Sequence, residues 1–123
     1  MGKEKNFEDR IKDFLKEENC WFIKYWGGGD FTKAGTPDIL ACVNGYFVAV
    51  EVKAPNGRPT ALQIKKLMQI DKSHGWSVLL YPNNYSLFQN FILCLKADLK
   101  NAELNYELLK ERWMEWAKKY ELI

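Results

Sequence analysis

Three ionisable side chains, Asp38, Glu51 and Lys53, stand close together in the segment PDILACVNGYFVAVEVK. Two apolar runs in that segment flank Asn44-Gly45, the strongest two-residue hairpin signal in a sequence. With Asn44-Gly45 as the loop, Val43 faces Tyr46, and counting outward in step places Asp38 opposite Glu51. Directly opposed residues share a face, with Cβ atoms roughly 4.5–5.5 Å apart. Lys53 is two residues beyond Glu51 and points the same way. Two carboxylates held together in an apolar sheet repel each other, and buried anions are costly unless compensated. Lys53 supplies one positive charge. A hard divalent cation supplies more, and an all-oxygen set to which the Val52 carbonyl can add suits Mg²⁺ or Mn²⁺. The plainer reading is a surface salt bridge between Lys53 and one acid. It accounts for Lys53 but not for two acids in one register.

The elements around this hairpin follow from periodicity. Phe7, Ile11, Phe14 and Leu15 recur at helical spacing within residues 4–19. Trp21–Trp26 alternates like a short strand, and a glycine-rich loop, GGGDFTKAG, follows it. The hairpin strands carry apolar residues on both faces, which predicts a central position covered on both sides. Thr60-Ala-Leu-Gln63 reads as a capping box opening a helix to about Ser73, which Gly75 stops. Trp76–Tyr81 is a further strand, Pro82-Asn83-Asn84 a turn, and residues 85–97 and about 101–120 are helical. The order α, β, β-hairpin, α, β, α, α predicts an α/β fold with a mixed central sheet flanked by helices. Residues 1–97 are expected to form the core and 98–123 a C-terminal helical extension, packed on the core or on a partner subunit.

Composition sets the outer bounds. A chain of 123 residues suits one domain, and 47% apolar residues can build its core. No apolar run approaches the roughly 20 residues of a membrane span, and the charged N-terminus lacks a signal region. A cytoplasmic protein is expected. Cys20, Cys42 and Cys94 are odd in number and show no CxxC spacing, so they read as reduced structural thiols. A net charge of +2 barely favours nucleic acid by itself. His74 is the sole histidine, and a helix-capping role suits its place before Gly75. One histidine excludes mechanisms that need a pair, and no phosphate-cradling P-loop is present.

Pro37-Asp38 and Glu51-Val52-Lys53 resemble the PD-(D/E)xK nuclease superfamily. Gly35-Thr36-Pro37-Asp38 with AVEVKAPNGRPTALQ, Ala49 to Gln63, is similar to its VRR-NUC family, over about Glu8 to Phe91. The resemblance implies a restriction-endonuclease-like core and Mg²⁺- or Mn²⁺-dependent cleavage of DNA. It implies that Glu8, on the first helix, faces the site and binds metal with Asp38, Glu51 and Val52. It also makes Gln63 catalytic, alongside its capping-box role with Thr60, where the family usually has serine. The arginines common in the family's glycine-rich loop are replaced by Gly27–Gly29, Asp30 and Lys33. Stand-alone, phage-type members are similar to Holliday-junction resolvases acting as homodimers, which implies a four-way-junction substrate and, for a phage protein, the host cytoplasm.

On this reading Asp38 and Glu51 hold one metal or two, and Lys53 positions or deprotonates water, or stabilises charge at phosphorus. Lys24, Lys33, Arg58, Thr60, Lys65 and Lys66 are candidate nucleic-acid contacts, against the plainer reading of a solvated face. In the tail, Tyr106, Leu109, Trp113, Trp116, Ala117 and Tyr120 form a stripe that packs on the domain or on a second subunit. The alternatives to a junction resolvase are a flap, nicking or restriction-type nuclease, and a non-catalytic nucleic-acid-binding module. Facing acids would repel DNA in a pure binder, which disfavours the module.

Overall fold

The computed structural model describes residues 2–26 and 34–123. Helix α1 spans Lys3–Glu17, strands β1, β2 and β3 span Trp21–Lys24, Ile39–Val43 and Tyr46–Val52, and α2 spans Ala61–Lys72. Strand β4 (Trp76–Leu80) leads through a single 3₁₀ turn, Pro82–Asn84, into α3 (Tyr85–Ala97) and α4 (Leu99–Lys119). The sheet order is β1-β2-β3-β4, with the first three strands antiparallel and β4 parallel to β3. Helix α2 is thus the crossover of a βαβ unit. This is the mixed α/β architecture of a restriction-endonuclease-like fold.

The hairpin register is the one the Asn-Gly loop requires: Val43 pairs with Tyr46 and Ile39 with Val50. Asn44 and Gly45 have φ of 51° and 86°, the two positive values that match a tight turn to strand twist. Ile39, Ala41, Val43, Val48, Val50 and Val52 line one sheet face and pack on Phe7, Ile11 and Leu15 of α1 and Phe88, Phe91 and Ile92 of α3. On the opposite face Leu79 and Tyr81 join Ile64 and Leu67 of α2 and Trp113 and Ala117 of α4.

Coverage of the hairpin on both sides is only half realised. Helix α2 packs on β3 and β4, and α4 on β4, so among the described residues no helix covers the outer face of β1 and β2. Cys42 and Phe47 are exposed there beside Trp21 and Ile23. Cys42 is therefore a surface thiol, not a packed one; all three cysteines are free. The end of α2 also differs in detail from expectation. His74 takes the left-handed conformation, φ 69°, and its N–H bonds Asp71 O at 3.0 Å. Gly75 is needed for space: a Cβ there would lie 2.8 Å from Ile70 Cγ2 and 3.1 Å from Phe47 Cδ2.

Helix α4 belongs to both layers. Ala102, Tyr106 and Leu109 enter the first cluster, Trp113 and Ala117 the second, and Trp116 and Tyr120 pack at its margin. Asp98 caps α4, accepting from Asn101 N at 3.3 Å. Polar contacts fix α4 against β4: Trp113 Nε1 donates to Ser77 O at 3.0 Å, and Tyr106 Oη accepts from Ser77 N at 3.2 Å and donates to Asp71 Oδ1 at 2.7 Å. Tyr106→Phe leaves Ser77 N–H buried without that acceptor. It should cost about 1–3 kcal/mol in chemical denaturation; a variant as stable as the parent would show that these bonds do not anchor α4.

Candidate active site

One step beyond the Ile39–Val50 pair, the register brings Asp38 alongside Glu51. Asp38 stands at the entry to β2, where its backbone O accepts from Tyr25 N at 2.8 Å. Its Oδ2 accepts the Val52 N–H at 2.8 Å, so the carboxylate takes a ladder donor that β2 does not reach. Glu51 lies inside β3, opposite Leu79 of β4, and is 2% exposed. Its Oε2 is 3.7 Å from Lys53 Nζ, while its Oε1 is buried with no hydrogen-bond partner. Burial drives the Glu51 carboxyl up to about 9, and the Asp38 charge adds to the rise while Lys53 opposes it. The structure thus brings Asp38, Glu51 and Lys53 together at the carboxyl end of β3.

Glu8 arrives from α1, itself buried at 6% exposure. Lys24 of β1 joins it to the hairpin, with Nζ 2.6 Å from Glu8 Oε1 and 3.4 Å from Asp38 Oδ1. Lys12 lies 3.3 Å from Glu8 Oε2. Burial would lower the Lys24 pKa, but Glu8 and Asp38 outweigh it and the net shift is upward. Lys24 is thus an internal cation of the acid cluster, whereas sequence reasoning assigns it a phosphate contact. The missing signal is the β1–β2 register, in which Lys24 pairs with Ile39, next to Asp38.

The remaining described candidates come from the segment after Lys53 and from α2. Thr60 and Gln63 close the expected capping box, with Thr60 N to Gln63 Oε1 at 2.9 Å and Gln63 N to Thr60 Oγ1 at 3.1 Å. The start of α2 is pressed on the loop before Asp38: a Cβ on Gly35, φ 81°, would lie 2.8 Å from Leu62 O. That contact requires glycine and packs the first turn of α2 on the segment that leads to Asp38. Arg58 is exposed and its Cζ sits 5.4 Å from the Trp116 ring. Lys65 is exposed and Lys66 half-buried on α2. Lys33 lies outside the described residues.

The acid pair suits a hard divalent cation. An orphaned, buried carboxylate oxygen is a strong reason to seek a partner atom, because leaving it unpaired is costly. Val52 points its carbonyl toward the same strand edge as the N–H that Asp38 binds. Among the described residues, no three His, Cys, Asp or Glu side chains converge as a ligand set. Glu8 stands apart from the acid pair, with Lys24 between it and Asp38.

The family model of the archaeal Holliday junction resolvases (Hjc) matches residues 2–107. No curated protein and no solved structure gives a significant match. The matched family is a member of the PD-(D/E)xK superfamily, in agreement with the Pro37-Asp38 and Glu51-Val52-Lys53 pattern. Among the described residues no helix is long and apolar enough to cross a membrane. With most of its length matched and two facing acids beside a lysine, the chain belongs to the Holliday junction resolvase family and is a metal-dependent, structure-selective DNA endonuclease.

Proposed function

We propose that the protein resolves four-way DNA junctions in the cytoplasm as a homodimer, with Asp38 and Glu51 holding Mg²⁺ or Mn²⁺ and Lys53 acting on the reacting phosphate. The observation that carries the reading is the buried Oε1 of Glu51, without a partner and beside a second carboxylate. The Val52 carbonyl, and Glu8 through water, complete the oxygen set. A bound divalent ion supplies polarisation of the scissile phosphate and a lowered pKa for its water. Lys53 then positions the attacking water or offsets the charge that develops on phosphorus. Gln63 takes part in the same reaction from the first turn of α2, where its side chain accepts the capping bond from Thr60 N. Thr60, Lys65, Lys66, Arg58 and Lys33 contact DNA phosphates around the cut, where the N-terminus of α2 also favours anions. A two-fold dimer supplies the two symmetric cuts that a four-way junction requires. The GTPD and AVEVKAPNGRPTALQ strings support a VRR-NUC-like branch of the superfamily.

Purified protein with Mn²⁺ should cut a four-way junction in preference to flap, duplex and single-stranded DNA. Asp38→Asn and Glu51→Gln should each lower cleavage at least about 10²-fold while retaining the fold. Normal cutting by either variant would overturn the assignment. Lys53→Ala should slow cleavage about 10²–10⁴-fold yet keep junction binding; loss of binding with normal turnover contradicts its role.

The same site gives a pH signature without metal. The folded carboxyl of Glu51 is pushed from 4.5 up to about 9, so the folded state keeps a proton that the unfolded chain releases. Its contribution is full below the unfolded value and is lost as pH rises through the folded one. In EDTA, Tm should fall with pH across that window, and Glu51→Gln should flatten the fall. A Tm that rises with pH there in the parent, or falls as steeply in the variant, would contradict the burial of this carboxyl.

A further inference from the structure

A cavity of about 590 Å³ opens between the loop after Lys53, the start of the 3₁₀ turn and the last turns of α4. Its charged lining is Arg58, Arg112 and Lys119 against one acid, Glu115. Aromatic rings hold these cations. Arg58 Cζ and Lys119 Nζ lie 5.4 Å and 4.8 Å from the Trp116 ring centroid. Arg112 Cζ lies 5.0 Å from the Tyr81 ring, and its Nη2 donates to Asn83 Oδ1 at 3.0 Å. Among the described residues none of the three is within salt-bridge distance of a carboxylate, whereas Lys5, Lys12, Lys96 and Lys110 each are. A ring orients a cation without neutralising it, so the groove keeps its positive field.

The groove adjoins the catalytic lysine. A Cβ on Gly57 would be 3.2 Å from Lys53 Cβ, and Tyr81 Oη donates to Gly57 O at 2.8 Å. Arg112, Trp116 and Lys119 lie beyond residue 107, where the family match ends. We propose that this groove binds the phosphodiester backbone of a DNA arm beside the cut. It would be a second phosphate track, which α4 adds to the shared nuclease core. The proposal rests on the junction-cleavage reading for its ligand. Phosphate fits better than a stacked base, because Arg58 and Lys119 already pack on the Trp116 ring. Arginine forks also match phosphate oxygens.

The test compares junction binding by Glu51→Gln protein with that by the same protein carrying Arg112→Gln and Lys119→Gln. Affinity at 0.1 M salt should fall at least about tenfold, and the slope of log K against log salt should shrink by about two. Removing two remote charges, Lys5→Gln and Lys72→Gln, should change neither as much, and Arg112→Lys with Lys119→Arg should restore binding. Equal affinity and slope in the groove variant, an equal loss in the remote variant, or a parent that binds no DNA would each overturn the proposal. If the groove variant loses its cooperative thermal transition, Lys119→Glu at an exposed position replaces it, and unchanged binding overturns the proposal in the same way. Wild type that binds through the groove but cuts no DNA in Mn²⁺ would sink the cleavage reading and leave the groove standing.

Discussion

The burial of Glu51 beside the Asp38 carboxylate, which makes its ionised form costly, is the constraint around which the molecule is arranged. A sheet interior is a poor place for one carboxylate and a worse place for two. The Asn-Gly turn nevertheless fixes a register that puts them side by side, and the valine-rich face of the hairpin locks that register into the core. A slip of one residue would turn that buried face outward, so the apolar pattern that stabilises the fold also holds the acids together. The fold stabilises an arrangement that electrostatics alone would reject.

The compensation is incomplete. Asp38 is satisfied by the Val52 N–H and by Lys24, and Glu8 by Lys24 and Lys12. Among the described residues Glu51 has one cation, Lys53 at 3.7 Å from one oxygen, beside the Asp38 carboxylate, and its other oxygen has no hydrogen-bond partner. The deficit therefore falls on one atom beside the carboxyl end of β3. Two features outside the hairpin define the space around it. The start of α2 is pressed against Gly35, and the loop after Lys53 is pinned by the Tyr81 hydroxyl and, through Pro59 O, by Tyr120 just past the end of α4. The last helix thus reaches the site through backbone contacts as well as through its own charges.

Much of this was legible because it is local in sequence. A two-residue turn determines strand pairing within a dozen residues of itself, so the Asp38–Glu51 juxtaposition needed only counting. The capping box on Thr60 and Gln63 is likewise a four-residue signal. What depends on distant contacts was not readable. The pairing of β1 with β2, which makes Lys24 an internal cation, joins segments more than a dozen residues apart and carries no turn signature. Part of the need for Gly75 comes from Phe47, twenty-eight residues away, beside the closer contact with Ile70. The open face at Cys42 depends on where α2 and α4 settle, and periodicity says that strands are apolar without saying what covers them. The ring-held cations of α4 were hidden for the same reason: Arg112 and Tyr81 are far apart along the chain and meet only in the fold.

The most direct test is to locate the cation. Crystals of the protein soaked in Mn²⁺ should give an anomalous peak between Asp38 and Glu51, within coordination distance of the Glu51 oxygen that lacks a partner, and the peak should vanish in Glu51→Gln. An anomalous map with no peak there, or with Mn²⁺ bound elsewhere while Glu51 stays unliganded, would contradict the account.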